Sequence, residues 1–458
     1  MSNSSPIPAA QPAAQPAAQP KPKRVMVQPC PSVVGEIRPP GSKSITNRAL
    51  ICAAMARGVS NLTGVLDSED TTVMVQAWQQ IGLKVDWRRD LSELSIVGCG
   101  GVFPKDHGDF FIANSGTTIR FLTAALATGN GKFKIHGVPR MHQRPIEDLL
   151  DGLRQLGADV QSLNHELPNC PPVQLAARGL SGGKSKVAGN VSSQFLSGLM
   201  MAAPYAQASV ELVIDGELVS KPYVDMTAAV MKSFGVTIQE VINEQQECSG
   251  YVIQAPTSYQ AIDYSIEPDA SAASYFFAAA ALTGGRVRVL GLSRNALQGD
   301  VGFVEVLRQM GCEVTYDDNW IEVSGSARHG IDINMNAISD TVQTLAAVAL
   351  FVDGPTTIRG VEHNRHKETD RIGDLATELR RLGAQVDEFQ DGLRIVPQKL
   401  NPAEIHTYHD HRMAMSMALV GLRQEGVWIL DPQCTEKTYP KFFEDLGRIT
   451  NQVPVYAS

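Results

Sequence analysis

"LRQLGADVQS", residues 153–162, runs from an amphipathic helix through a glycine into an alternating, strand-like segment. The same pattern returns as "WQQIGLKVDW" at 78–87, "VMKSFGVTIQE" at 230–240, "LRQMGCEVTY" at 307–316 and "LRRLGAQVDE" at 379–388. The glycines ending these helices, Gly82, Gly157, Gly235, Gly311 and Gly383, stand 75, 78, 76 and 72 residues apart. Each can take the left-handed conformation that closes a helix, and the β-branched residue that follows starts a strand. Recurrence at this spacing means one supersecondary unit used repeatedly. A sixth, degenerate copy is read at "FFEDLGRIT", where Gly447 follows Gly383 by 64 residues.

Between the copies lie second helices, expected over 44–56, 117–127, 193–203, 270–282, 340–352 and 410–422. They are rich in Ala, Leu and Met and almost uncharged beyond their first turns. A helix that is apolar nearly all round is a buried helix. Six units, each with one buried helix, one surface helix and a small sheet, predict an α/β fold of two domains with three units apiece. The polar residues collect at the N-termini of the buried helices, where free N–H groups and the helix dipole favour anions. Six such ends can converge on one cleft.

With 458 residues, 43% hydrophobic and 19% charged, the chain has the material for at least two cores. Forty basic against 48 acidic residues give a net charge of −8, so affinity for anions must come from local clusters. Nucleic acid is not an expected partner. Seven cysteines are scattered singly, which suits a reducing compartment and a cytoplasmic protein. Residues 1–24, with their Ala-Ala-Gln-Pro repeats, lack the apolar run of a secretory signal and make a poor transit peptide; a disordered tail is expected there. The longest apolar runs, such as "TLAAVALFV" at 344–352, are about half of what crosses a membrane, so no membrane association is expected.

The polar clusters divide by chemistry. In the first half, Lys43, Ser44 and Arg48 begin one buried helix, with Ser44 and Arg48 on one face. In "NSGTTIR", Asn114 can cap, Gly116 permits close backbone approach and Arg120 follows four residues later. Arg144 sits in "HQRP", Ser192, Ser193 and Gln194 open a third helix, and Ser220 and Tyr223 lie in "VSKPY". These are donors suited to an oxyanion and a polyol. Capping explains any one Ser or Asn, but not Arg and Lys recurring at equivalent ends. The second half adds carboxylates: Asp340; Lys367, Glu368 and Arg371 in "HKETDR"; Asp410, His411 and Arg412 in "YHDHRMAM"; and Lys437 in "CTEK". A carboxylate among cations and substrate hydroxyls can serve as general acid or base. His409 and His411 have no companion ligand pair, and Arg412 beside them would repel a cation, so no metal is expected.

"PGSKSITNRAL", "NSGTTIRF", "PRMHQRPI", "SSQFLSGLM", "SKPYVDMT", "KETDRI", "DHRMAMSMAL" and "CTEKTYPKFF" together resemble the successive signatures of the 5-enolpyruvylshikimate-3-phosphate synthase family, the glyphosate target. The matches run in order from about residue 37 to 443. The resemblance implies an inside-out α/β barrel of six βαβαββ units in two domains, 25–41 with 262–458 and 42–261. It implies transfer of the enolpyruvyl group of phosphoenolpyruvate to the 5-hydroxyl of shikimate 3-phosphate, by a monomer without cofactor. Shikimate 3-phosphate would be held by Lys43, Ser44, Arg48, Ser192, Ser193, Gln194, Ser220, Tyr223, Asp340 and Lys367. Phosphoenolpyruvate would be gripped by Lys43, Gly116, Arg144, Gln194, Arg371, Arg412 and Lys437, with Arg120 shaping its pocket and His411 alongside. Asp340 and Glu368 would move protons, and Lys43 and Lys437 would stabilise the departing phosphate.

Two departures stand out: His363 occupies a position that is often Asn, and Phe121 follows Arg120 where many members have Pro. Two other readings compete. An enolpyruvyl transferase acting on UDP-N-acetylglucosamine shares the fold but typically uses a loop cysteine, and no cysteine lies between Cys99 and Cys170. A noncatalytic anion-binding protein would be expected to lose the pair Asp340 and Glu368.

Overall fold

The computed structural model describes residues 23–457. The tail expected over 1–24 therefore lies outside the described residues up to 22. Arg24 is no longer tail: the strand Arg24–Met26 is hydrogen-bonded between Val427–Leu430 and Val455–Ala457.

The described chain forms six four-stranded sheets, each with one parallel and two antiparallel pairings. One sheet shows the plan. His107–Phe111 lies parallel to Asn130–His136, with Phe110 opposite Ile135; Val173–Arg178 then pairs antiparallel with the second strand, and Val160–Ser162 with the third. A parallel pair needs a crossover, and the buried helix Gly116–Ala127 supplies it. The amphipathic helix Glu147–Gln155 precedes the antiparallel strands, burying Leu149, Leu150 and Leu153 while Asp151 and Arg154 face out.

The six buried helices are Lys43–Met55, Gly116–Ala127, Ser193–Ala202, Ala270–Thr283, Val342–Ala349 and His411–Ala418. The fifth is shorter than expected. Asp340 sits in a 3-10 segment, Asn336–Thr341, and does not cap the helix after it. The sixth passes into a 3-10 turn, Leu419–Leu422.

All five helix-ending glycines are left-handed, with φ between +88° and +110°. The sixth copy closes differently. Gly447 lies within the helix Phe442–Thr450, and Asn451 takes the left-handed position at φ 54°. Gly447 is needed for space instead: a Cβ there would lie 2.6 Å from the Gln452 carbonyl oxygen.

Two separate cores result, one built from residues 45–266 and the other from 25–37 and 270–449. A parallel pairing flanks each passage of the chain between the halves: Val34–Ile37 pairs with Arg286–Leu290, and Asp263–Ser265 with Arg57–Thr63. The second pairing places Asp263–Ser265 and Ile266 with the 45–266 core. The chain changes core between Ile266 and Ala270, later than the boundary read at 261–262, because that strand completes its neighbour's sheet. Among the described residues no helix is long and apolar enough to cross a membrane.

Candidate active site

The polar helix ends of the two halves face each other, but several side chains are used differently from the sequence expectation. Ser42 caps Lys43–Met55, its Oγ accepting the Ile45 N–H, so Lys43 opens the helix. Lys43 Nζ lies 3.4 Å from Asp70 Oδ2, and its backbone N–H donates to Asp269 Oδ2 at 3.1 Å. Arg48, expected to help hold shikimate 3-phosphate, is only 1% exposed. It donates to Thr227 Oγ1 at 2.7 Å, Ser197 Oγ at 3.3 Å and the carbonyls of Ser44 and Tyr223, and it lies over the Phe121 ring. Burial lowers its pKa to about 10. Arg48 ties three helices together, and Phe121 is part of that packing.

At the second end Ser115 is the cap, not Asn114, because its hydroxyl reaches the Thr118 N–H. The Asn114 carbonyl accepts from Arg144 Nη1 and, across the cleft, from Lys437 Nζ, both at 3.0 Å. A Cβ at Gly116 would lie 2.4 Å from Arg144 Nη2, so glycine lets the guanidinium rest on the helix start. Arg120 is buried over Phe195 and donates to Gln194 Oε1 and the Pro145 carbonyl. Burial, with Arg144 nearby, brings its pKa down to about 9. Ser192 caps the third helix through the Gln194 N–H, and Ser193 is buried beside it.

The other half is built around Arg371. Its guanidinium lies 2.6 Å from Asp410, 2.8 Å from Glu368 and 3.2 Å from Asp340. Burial works against its charge, but Asp410, Glu368 and Asp340 outweigh it and raise its pKa. Glu368 also receives Lys437 Nζ at 3.0 Å. Burial alone would raise its carboxyl; Arg371, Lys437 and Arg144 overcome this and hold it well below the usual range. Asp340 takes Arg412 Nη2 at 2.7 Å and Lys367 Nζ at 3.8 Å. Its carboxyl is likewise held low, burial being outweighed by Arg412, Lys367 and Arg371. His411 is fully buried, neither ring nitrogen has a hydrogen-bond partner among the described residues, and burial with Lys43 nearby holds it well below the usual imidazole range. Asp410, not a substrate group, caps its helix through the Arg412 N–H.

Contacts across the cleft complete the site. Ser220, in the left-handed conformation at φ 54°, donates its N–H to Asn336 Oδ1 at 2.8 Å, and its Oγ lies 3.2 Å from His363 Nε2. Burial, then Lys367, brings His363 down to about 3, so the imidazole is neutral. The Tyr223 hydroxyl reaches Asp340 Oδ2 at 3.2 Å. The structure thus brings Lys43, Gly116, Arg144, Lys367, Glu368, Arg371, His411, Arg412, Lys437, Asp340, Ser220 and Tyr223 to one interface, with Ser44 on the edge of Lys43's turn. Two cavities flank it: one of about 920 Å³ reaching Asn114, Glu368 and Lys437, the other of about 790 Å³ reaching Asn336, His363 and His366.

The sequence reading missed Asp70, Arg140 and Asp300. Asp70 has the look of an ordinary first-turn acid. Arg140, within the quoted "PRMHQRPI", donates across the cleft to the carbonyls of Glu368 at 3.0 Å and Lys367 at 3.2 Å. Asp300, in "LQGDVGF", is 2% exposed.

Residues 27–446 match the family model described as EPSP synthase (3-phosphoshikimate 1-carboxyvinyltransferase). The 3-phosphoshikimate 1-carboxyvinyltransferase of Marinomonas sp. (strain MWYL1) is 44% identical over 429 residues, 93% of this chain and 99% of that protein. That of Nostoc punctiforme is 48% identical over 414 residues, 90% and 96% of the two chains. In fold, the chain is similar to the solved EPSP synthase of Acinetobacter baumannii, with a TM-score of 0.80 at 24% identity over 96% of this chain and all of that one.

Proposed function

Because this chain belongs to the EPSP synthase (3-phosphoshikimate 1-carboxyvinyltransferase) family, we propose that it transfers the enolpyruvyl group of phosphoenolpyruvate to the 5-hydroxyl of shikimate 3-phosphate, releasing phosphate, in aromatic amino acid biosynthesis. The observation carrying the mechanism is the pair of buried carboxylates, Glu368 between Arg371 and Lys437 and Asp340 between Arg412 and Tyr223, at helix ends rich in cations.

Asp340 receives the hydroxyl proton as O5 adds to C2, and Glu368 delivers a proton to C3 and later removes one. In the free protein Glu368 is a carboxylate, because Arg371 and Lys437 hold it so. The phosphoenolpyruvate phosphate engages Lys437 and Arg144, weakens their hold on Glu368 and raises its proton affinity for this step. Lys43 and Lys437 then stabilise the phosphate oxygens as the C–O bond breaks. Ser44, Ser192, Ser193, Gln194, Ser220, Tyr223 and Lys367 position the sugar phosphate. Arg48 is grouped with them, and Arg120 shapes the floor of the phosphoenolpyruvate pocket while donating to Gln194. Substrate anions draw the cations of the two halves together, so binding and closure are coupled.

The chain acts as a cytoplasmic monomer without cofactor, its domains meeting near residue 41 and in the stretch after 261. The test is phosphate release with both substrates present. Release with UDP-N-acetylglucosamine in place of shikimate 3-phosphate would overturn the assignment, and no release with either acceptor would favour a noncatalytic anion-binding protein.

A further inference from the structure

Asp300 is a buried carboxylate that the mechanism above leaves unused. It lies in the turn Gly299–Gly302, and its Oδ2 accepts from the Ser271 hydroxyl and, at 2.8 Å, from the Tyr223 hydroxyl. Its Oδ1 is buried without a hydrogen-bond partner among the described residues. The same Tyr223 oxygen lies 3.2 Å from Asp340 Oδ2. One phenol thus bridges two carboxylates whose surroundings differ. Asp340 has Arg412, Arg371 and Lys367 around it, whereas Asp300 has two hydroxyls, the negative charge of Asp340 and a single cation, Arg412, among the groups that act on it.

We propose that Asp300 is the proton store of the reaction, a positioning residue that receives through Tyr223 the proton Asp340 takes from the 5-hydroxyl. Tyr223 donates to Asp300 over the shorter of its two contacts, leaving its oxygen lone pair toward Asp340. When Asp340 becomes protonated, its O–H donates to the Tyr223 oxygen as the phenolic proton moves to Asp300. The phenol ends neutral, Asp340 is again a carboxylate, and Asp300 is a carboxylic acid. The reverse shift returns the proton as phosphate departs, so the hydroxyl proton leaves with phosphate and nothing else is gained or lost. An acceptor ringed by three cations is a poor place to keep a proton. Burial, with Asp340 beside it, pushes Asp300 up to about 6, which makes it the better one.

The relay also spans the cleft. Tyr223 belongs to the helix Lys221–Ser233, packed on the 45–266 core, while Asp300, Ser271 and Asp340 belong to the other half. The store is connected to the base only when the halves meet.

The inference rests on the proposed transferase activity, and the two fail separately. If the unmodified protein releases no phosphate from the two substrates, the activity itself is wrong. If it does, Asp300→Asn, which keeps shape but cannot store a proton, should lower kcat roughly 10- to 100-fold with both KM values within about threefold. It should also remove the acid limb of the kcat–pH profile near pH 6. Asp300→Glu should recover part of the rate and the limb. Ser271→Ala, which deletes a donor to the ionised carboxylate, should move the limb to higher pH, and it provides a second reading if the Asn variant folds poorly. An unchanged kcat and limb in Asp300→Asn, a loss confined to KM, or an unmoved limb in Ser271→Ala would each overturn the proposal.

Discussion

Lys437 Nζ and Glu368 Oε1 stand 3.0 Å apart with both side chains more than nine-tenths buried, and the same ammonium reaches the Asn114 carbonyl on the opposite half. The proton-transfer carboxylate and the contact that closes the cleft therefore share one cation. Replacing Glu368 with Gln keeps the size but removes proton exchange. Turnover should fall on the order of 10² to 10⁴-fold, while calorimetric affinity for shikimate 3-phosphate changes far less. Solvent deuterium should no longer enter C3 of phosphoenolpyruvate. Exchange and phosphate release at the unmodified rate would assign the step elsewhere, with Lys43 the next candidate.

Gly116 decides how close Arg144 comes to the helix start. In Gly116→Ala the new methyl would fall 2.4 Å from Arg144 Nη2, and the flexible guanidinium is the part that gives way. The fold should survive, and KM for phosphoenolpyruvate should rise about 10- to 100-fold, the value of a misplaced charge-assisted hydrogen bond. Steady-state kinetics at saturating shikimate 3-phosphate measures this, and an unchanged KM would remove Arg144 from the anion grip.

Arg48 shows where sequence reading stops. The helix-ending glycines are legible because a left-handed cap and the 3.6-residue period are local properties. The partners of Arg48 are not local: Thr227 and Ser197 lie 179 and 149 residues away, and nothing in "GSKSITNRAL" shows that its guanidinium turns inward. Asp340 and Asn114 were recognisable as helix-end residues, yet whether they cap depended on Ser115 and on a 3-10 turn that only packing decides. Asp300 was invisible for the same reason, since Tyr223 lies 77 residues away and on the other half. Arg48→Ala should therefore behave as a core variant, losing about 2–3 kcal/mol through the cavity left and the lost charge-assisted hydrogen bonds, although Thr227 keeps Ser197 and the Tyr223 carbonyl as partners. A urea midpoint equal to that of the unmodified protein would instead place Arg48 in the solvent-facing cleft.

Arg140 holds the halves together by donating to the backbone of Lys367 and Glu368. Its side-chain contact, Nη1 to Gln143 Oε1 at 3.2 Å, is exposed, so removing it strands no buried group there. Arg140→Ala should raise the ligand concentrations needed to compact the protein in small-angle scattering, and raise both KM values together. Compaction at unmodified concentrations would show that closure depends on the substrate anions alone.

The pH dependence of stability separates Asp300 from the other buried carboxylates. Glu368 and Asp340 are depressed, so their contributions are present above the unfolded pKa and are lost as pH falls. Asp300 is raised from 3.8 to about 6, so its contribution is present below the unfolded value and is lost as pH rises through about 6. Ionising it means burying a charge beside Asp340, and that cost falls on the native state alone. Asp300→Asn resembles the protonated acid at every pH and escapes the cost, while Glu368 and Asp340 remain in both proteins and largely cancel from the difference. Between pH 5 and pH 8 the variant should therefore gain on the order of 1 kcal/mol relative to the unmodified protein. Urea unfolding of both at the two pH values measures the difference of differences. A gap that stays constant would mean that Asp300 titrates alike in the folded and unfolded chain, and a gap that moves the other way would mean that it is held as a carboxylate.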